Sequence, residues 1–194
     1  MKRGASCVLS SALFSGDWGS ILVRPCATPD IDAVLNYLYR GPQETLISIG
    51  IDPQELPGVN AHRVRLNKRV RYRFDLVAAE YRGECISIIS LEQRSMETPP
   101  RVHFHILKPD MRHQGLGLPI FSAGLKILMR VHKLPSVYVE PKHDNVPMIR
   151  LLEKMGGVNR GKGRSGERMT YPFDSIVYEL FFDQLANEYR RGDL

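Results

Sequence analysis

The chain has 194 residues, of which 43% are hydrophobic and 25% are charged, and this composition is typical of one globular domain with a sizeable core. Its formal net charge is +6, but the basic residues are scattered, and the dense basic run at 63–73 contains Tyr72 as its only aromatic, which argues against a nucleic-acid binder. No stretch approaches the roughly 20 apolar residues of a membrane-spanning helix.

The first 19 residues are predicted to be a flexible leader, with Trp18 packed onto the domain that follows. Serines interrupt the apolar run of this leader, and no convincing cleavage site follows it, so a signal peptide is not indicated. We therefore expect a single domain over residues 20–194.

The three cysteines are odd in number and far apart, and no Cys-x-x-Cys pair occurs. This pattern indicates neither a disulfide framework nor a metal site, and it favours a reducing, cytoplasmic location. The cysteines are Cys7, Cys26 and Cys85.

The first half of the domain is predicted to contain helices and a hairpin. Thr28 or Asp30 can cap the first helix, and Tyr81-Arg82-Gly83 has the glycine of a tight hairpin turn. The predicted elements are a strand at 20–25, a helix from 28 to 40, a short helix or loop at 43–48, a helix at 61–71, and strands at 72–80 and 84–93.

The segment at 102–117 combines a strand, a glycine-rich turn and the start of a helix. Apolar and polar residues alternate over 102–107, as in a strand, and Pro109 ends the pattern. Arg112-x-x-Gly115-x-Gly117 then leads into an amphipathic helix. Free N–H groups and the helix dipole at such a junction favour an anion. The spacing matches neither a Walker loop nor a dinucleotide-binding turn.

A second strand-to-helix unit follows. Residues 136–140 alternate as a short strand that Pro141 ends, and Asn145 precedes an apolar helical stripe that stops at Gly156-Gly157. These two units, in this order, resemble the two signatures of the GNAT (Gcn5-related) N-acetyltransferase superfamily, and the resemblance covers roughly 20–173. The segment at 50–57 is similar to that of a bacterial subgroup of unassigned substrate.

The resemblance implies an α+β fold (α/β three-layer), the GNAT acyl-CoA N-acyltransferase fold. Its central sheet is mixed and mainly antiparallel, with 6–7 strands flanked by helices, and the family's fourth and fifth strands splay apart. In this family the pantetheine arm of the cofactor fills the gap between those strands.

The resemblance also implies acetyl-CoA as co-substrate. The backbone of Leu107 would pair with the pantetheine arm and polarise the thioester carbonyl, and Asn145 would hydrogen-bond the arm. The pyrophosphate would be lined, chiefly through backbone N–H groups, by Arg112, His113, Gln114, Gly115, Leu116 and Gly117.

Proton transfer has several candidates. His103 and His105 lie two residues apart on the strand, so their side chains face the same way. The pair resembles the histidine pair of arylalkylamine N-acetyltransferases, although here it lies two residues later relative to the arginine of the following turn. The alternative, which the pattern slightly favours, is a pair of core histidines hydrogen-bonded to the backbone. Glu140, Glu80 and a water chain are alternative bases.

The general acid departs from the family pattern. Leu152 stands where many members have a tyrosine, and Gly157 replaces the phenylalanine that ends the signature. Either another tyrosine such as Tyr138 serves, or the thiolate leaves without a dedicated acid.

The C-terminal part is predicted to contain a mobile turn and a helix. Glycines over 161–166 indicate a turn between edge strands, where Lys162, Arg164 and Arg168 reach either the 3′-phosphate of the cofactor or, as we favour, solvent. Asp174 is predicted to cap a terminal helix. Its apolar face would contain Ile176, Val177, Leu180, Phe181 and Leu185.

These patterns together predict an acetyl-CoA-dependent N-acetyltransferase that acts on a primary amine of a small molecule or peptide. Two alternatives stay open: a non-catalytic acyl-CoA-binding or regulatory module, and an O-acyl or longer-chain acyltransferase. Since the superfamily often dimerises, a homodimer is also open. The sequence does not identify the acceptor amine.

Overall fold

The computed structural model of the protein describes residues 11–16, 19–93, 98–165 and 172–188. Cys7, Trp18 and Arg168 lie outside these ranges. The described chain forms one sheet with helices packed on both of its faces. Within these ranges, no helix has both the length and the apolar character needed to cross a membrane.

The sheet contains eight strands: β1 (Ala12–Gly16), β2 (Gly19–Pro25), β3 (Leu76–Tyr81), β4 (Glu84–Glu92), β5 (Arg101–Ile106), β6 (Ser136–Val139), β7 (Val158–Ser165) and β8 (Phe173–Phe181). Their order across the sheet is β1-β2-β3-β4-β5-β6-β8-β7. All neighbours are antiparallel except β5 and β6, which run parallel. The predicted mixed, mainly antiparallel sheet is confirmed, with more strands than the 6–7 expected.

The helices are α1 (Asp30–Arg40), α2 (Gln43–Ser48), α3 (Val59–Lys68), α4 (Gly117–His132), α5 (Val146–Lys154) and α6 (Phe182–Glu188). Short 3₁₀ turns occupy Pro53–Glu55 and Pro109–Met111, and a π-turn at Arg69–Arg73 extends α3. The strand predicted from residue 72 begins only at Leu76, because this π-turn takes up the residues before it.

Two apolar cores, one on each face of the sheet, make the fold three-layered. Leu35 of α1 and Leu66 of α3 pack on one face, and Phe121 of α4 and Leu152 of α5 pack on the other. The central strands are buried on both sides, so adjacent residues of β3 such as Val77 and Ala78 enter different cores.

β5 and β6 are neighbours over a very short length. Their register contains one pair, Arg101 with Tyr138, and the N–H of Tyr138 donates to the carbonyl of Pro100 at 2.9 Å. From Val102 to Ile106, the described pairing of β5 is with β4 alone. The two strands therefore diverge toward the loop that follows β5. This confirms the predicted splay, in which β5 and β6 correspond to the family's fourth and fifth strands.

The predicted terminal helix is wrong, because Phe173–Phe181 forms strand β8 and the helix α6 begins only at Phe182. β8 lies between β6 and β7, so it is covered on both edges, and Tyr178 and Leu180 are almost fully buried. Six of the nine residues of this short run are apolar, and their spacing fits both the helical and the strand period, so periodicity alone does not separate the two.

The predicted mobile turn at 161–166 is also wrong for the residues that the structure describes, because they continue β7 through Ser165. A Cβ on Gly163 would lie 2.6 Å from Oε1 of Glu140 and 2.8 Å from Oγ of Ser175. Glycine is therefore needed here for the close approach of neighbouring groups rather than for mobility.

Two N-terminal features also differ from expectation. β1 lies inside the segment predicted as a leader and pairs with β2 along its length, from Ala12 opposite Val23 to Gly16 opposite Gly19. No side chain caps α1. Asp30 instead accepts the N–H of Ala27 at 2.7 Å and pairs with Arg24 at 2.6 Å, which ties the start of α1 to β2.

Candidate active site

The loop between β5 and α4 presents a row of backbone donors. His113 (φ 60°) and Gly115 (φ 76°) are left-handed, and alternation of this kind turns consecutive N–H groups to one side. Among the described residues, no group accepts from the backbone N–H groups of 113–117. A Cβ on Gly115 would meet no atom within 4 Å, so the loop is open. These donors stand at the positive end of a 16-residue helix, which suits a diphosphate.

The polar side chains of this loop brace it. Nε and Nη2 of Arg112 donate to the carbonyl of Ile106 at 3.3 and 3.1 Å, and Nε2 of Gln114 donates to the carbonyl of Asp110 at 2.5 Å. Leu116 is buried in the core. The side chains therefore set the shape of the loop, and its backbone is left to meet an anion.

Of the two backbone polar groups of Leu107, only the carbonyl is available to a ligand. Its N–H donates to the carbonyl of Ile86 at 2.8 Å, whereas no N–H of the described chain donates to its own carbonyl. The expectation that the backbone of Leu107 polarises a thioester needs correction, because its only donor is already used. The free carbonyl can still pair with an amide of a pantetheine arm.

Asn145 begins α5 beside this loop. Its Oδ1 accepts the N–H of Met148 at 3.3 Å and caps the helix, which leaves the two N–H groups of its amide for another partner. A Cβ on Gly117 would lie 3.0 Å from Cδ1 of Leu151, so α4 and α5 touch close to the loop.

His103 and His105 lie together on the face of the sheet that α1 and α3 cover. Both line a cleft of about 1680 Å³. Nε2 of His103 is 3.2 Å from Oε2 of Glu92. Burial, and then the nearby charges of His103 and Arg112, lower the pKa of His105 from 6.5 to about 4, so its imidazole is neutral at pH 7. The pair stands at the wall of a cleft rather than in a closed core.

Tyr37 of α1 is a site residue that sequence reasoning missed. It lines the histidine cleft and also a second cavity of about 580 Å³, whose wall includes Leu107 and Arg112. Its ring centroid is 5.9 Å from that of His105. Burial raises the pKa of Tyr37 and the Arg112 charge opposes this, so the phenol is protonated at neutral pH. Tyr37 lies outside the apolar stripe of α1 and in no motif, so no local signal marks it.

The two carboxylate candidates for the base are already engaged. Glu140 is 6% exposed, forms an ion pair with Arg101 and accepts from Oγ of Ser175 at 2.5 Å. Glu80 pairs with Arg24 at 2.7 Å. Glu140 and Glu80 line neither of the two cavities, so the geometry favours the histidines over both.

Neither of the two positions considered for the general acid lines either cavity. Leu152 is fully buried in the apolar core that also contains Phe121 of α4, and Tyr138 lines neither cavity. In the described part of the chain, no three His, Cys, Asp or Glu side chains are grouped so as to hold a metal ion.

No protein-family model and no curated protein sequence matches the chain. Solved structures do. RimJ of Mycobacterium smegmatis, in complex with CoA-disulfide, is 12% identical, with 94% of each chain covered and a TM-score of 0.72. The ribosomal-protein-S5-alanine acetyltransferase of Vibrio fischeri is 14% identical, with 89% of this chain and 97% of that chain covered and a TM-score of 0.68.

A GNAT-family acetyltransferase of Bacillus anthracis is 17% identical, with 84% of this chain and 95% of that chain covered and a TM-score of 0.64. Identities this low show the fold alone. Together with the splayed β5 and β6, these likenesses establish that the chain has the fold of the GNAT acetyltransferases.

Proposed function

We propose that the protein is an acetyl-CoA-dependent N-acetyltransferase that acetylates a primary amine of a small molecule or peptide. The observation that carries this proposal is the open row of N–H donors at 113–117, close to the unpaired carbonyl of Leu107. The likeness to RimJ, a protein solved in complex with CoA-disulfide, supports it.

The residues present fit coenzyme A as follows. The backbone N–H groups of 113–117 would hold the pyrophosphate, and the Leu107 carbonyl and the Asn145 amide would hold the pantetheine arm in the gap between β5 and β6. When bound, acetyl-CoA supplies a thioester that an amine can attack.

His105 and His103 handle the proton of the acceptor amine. As the N–C bond forms, the nitrogen becomes acidic, and neutral His105 accepts its proton. Because the low pKa of His105 makes it a weak base, the proton passes on to His103, which is more exposed and pairs with Glu92. This sequence returns His105 to its neutral form.

Tyr37 supplies the proton that the leaving group requires. The C–S electron pair departs with sulfur, and the protonated phenol of Tyr37, next to Arg112, donates to the thiolate. Tyr37 would thus be the general acid in place of the tyrosine that many family members have at the position of Leu152.

Gly115→Asp and Gly115→Asn provide a matched test, because both side chains tolerate a left-handed backbone and differ mainly in charge. We expect acetyl-CoA affinity, measured by calorimetry, to fall at least about tenfold further in the Asp variant than in the Asn variant, since a carboxylate in the loop repels a diphosphate. Equal affinities in the two variants, or no binding by the wild type, would contradict the proposal.

The buried Leu152 also favours a second candidate, a non-catalytic acyl-CoA-binding module. The two differ in turnover, because an enzyme releases free coenzyme A when an amine is added, whereas a binding module never does. A homodimer and a cytoplasmic location stay predictions.

A further inference from the structure

The histidine cleft carries an excess of positive charge on one rim. This rim, which we call the cationic rim, consists of Arg65 and Lys68 of α3 and Arg73 of the following π-turn. All three side chains are exposed and line the cleft. Arg65 and Lys68 lie three residues apart and therefore share one face of α3, and Arg73 lies in the π-turn that continues this helix.

Among the described residues, no acidic side chain neutralises the cationic rim. Neighbouring Arg69 donates to Oδ1 of Asp75 at 3.0 Å and to the carbonyl of Leu91 at 2.9 Å, so its charge is satisfied. By contrast, no carboxylate of the described residues pairs with Arg65, Lys68 or Arg73.

The two described carboxylates that line the cleft already form ion pairs with other side chains. Asp75 and Glu92 line it, and they pair with Arg69 and His103 respectively. An uncompensated group of like charges at a cleft attracts and orients a ligand of opposite charge.

The cofactor does not account for these charges. The phosphate-binding loop at 112–117 contributes no residue to the histidine cleft, and Arg112 lines the other cavity. The cationic rim instead borders the cleft whose wall contains His103 and His105, where the acceptor amine must stand.

We propose that the acceptor is the amino terminus of a peptide segment with acidic side chains, whose carboxylates bind the cationic rim while its amine lies against His105. This inference rests on the proposed function for the position of the amine. A segment of several residues fits because the cleft, at about 1680 Å³, exceeds the roughly 300–1,000 Å³ typical of small-molecule pockets. Exposed Tyr72 adds an apolar wall beside the rim.

The test compares peptides that differ only in charge: an N-terminal alanine followed by several glutamates, by glutamines or by lysines. Turnover is followed as release of coenzyme A. Binding is followed separately, by anisotropy of labelled peptides with coenzyme A present. We expect the glutamate peptide to exceed the glutamine peptide at least about tenfold in kcat/KM and in affinity at low ionic strength, with a ratio that falls as salt is added.

The variant Arg65→Gln/Lys68→Gln/Arg73→Gln should bring that ratio close to one and leave acetyl-CoA affinity unchanged. Arg63→Gln is the matched control, because Arg63 belongs to the same basic run but pairs with Asp32 and does not line the cleft. The control should keep the glutamate preference.

Several results would overturn the inference: equal use and binding of the glutamate and glutamine peptides, a preference for the lysine peptide, or tighter binding of a single-stranded RNA that displaces the glutamate peptide. A glutamate preference in binding without release of coenzyme A would support the inference about the rim while contradicting the proposed enzyme. The two proposals therefore fail separately.

Discussion

The phenol of Tyr37 stands where the histidine cleft meets the cavity at Leu107 and Arg112. Replacing it with phenylalanine keeps the ring and removes only the proton donor. We expect Tyr37→Phe to lower kcat at least about 100-fold, because general acid catalysis typically contributes about 10²–10⁴-fold, and to leave acetyl-CoA affinity unchanged. Steady-state kinetics and calorimetry measure the two quantities.

Tyr81→Phe is the control for Tyr37→Phe, because Tyr81 lies in β3 and lines neither cavity. This variant should keep the wild-type kcat. Full activity of Tyr37→Phe with a good acceptor would show that the thiolate leaves without this acid.

The environment of His105 also predicts how stability depends on pH. Its pKa is about 4 in the folded protein and 6.5 in the reference state, so between these values the unfolded chain binds a proton that the folded chain does not. Stability should therefore fall as the pH drops from about 6.5 to about 4, and we expect His105→Gln to remove about 2 kcal/mol of that fall. Urea unfolding across this pH range measures it.

His62, whose pKa burial also lowers, contributes to the same trend, so the fall should shrink without vanishing in His105→Gln. His143→Gln is the control, because His143 lies exposed before α5. An unchanged pH dependence in His105→Gln would show that this imidazole is not held neutral by the fold.

At the scale of the element, α5 depends on its cap. Asn145→Ala removes the Oδ1 acceptor of the Met148 N–H and should cost about 1 kcal/mol of unfolding free energy. Asn145→Asp keeps the acceptor and loses the amide donors, so it should retain stability but bind acetyl-CoA more weakly. Thermal unfolding and calorimetry distinguish the two effects. Equal cofactor affinity in the Asp variant and the wild type would limit Asn145 to the cap.

At the scale of the whole molecule, the gap between β5 and β6 is the point where the sheet is least connected. A ligand that binds the folded state there stabilises the entire chain, by about 2.7 kcal/mol at a hundredfold excess over Kd. We expect coenzyme A at that concentration to raise Tm by about 5–10 °C in calorimetric scans. Gly115→Asp should lose most of this shift, and a shift as large as that of the wild type would place the ligand elsewhere.

The features that the sequence determined by itself are those set by residues close together along the chain. The turn of Arg112, Gly115 and Gly117 into α4 and the helix that follows Asn145, with its stop at Gly156-Gly157, were predicted from local patterns. Turn conformation and helix ends depend on a few residues that are close together in the chain, so a short sequence pattern is enough to predict them. The GNAT fold was implied by the resemblance of two such units, in this order, to the signatures of that superfamily.

Only the tertiary structure decided features that depend on distant partners. Phe173–Phe181 is a strand because β6 and β7 supply hydrogen bonds on both its edges, and Gly163 is fixed by its approach to Glu140. Tyr37 became a site residue only when α1 packed over β5, and the N–H of Leu107 was lost to Ile86 of the adjacent strand. Contacts between residues that are far apart in the sequence leave little trace in the local pattern. Many different residues of similar size and polarity can form the same contact, so the identity of one residue does not reveal its partner.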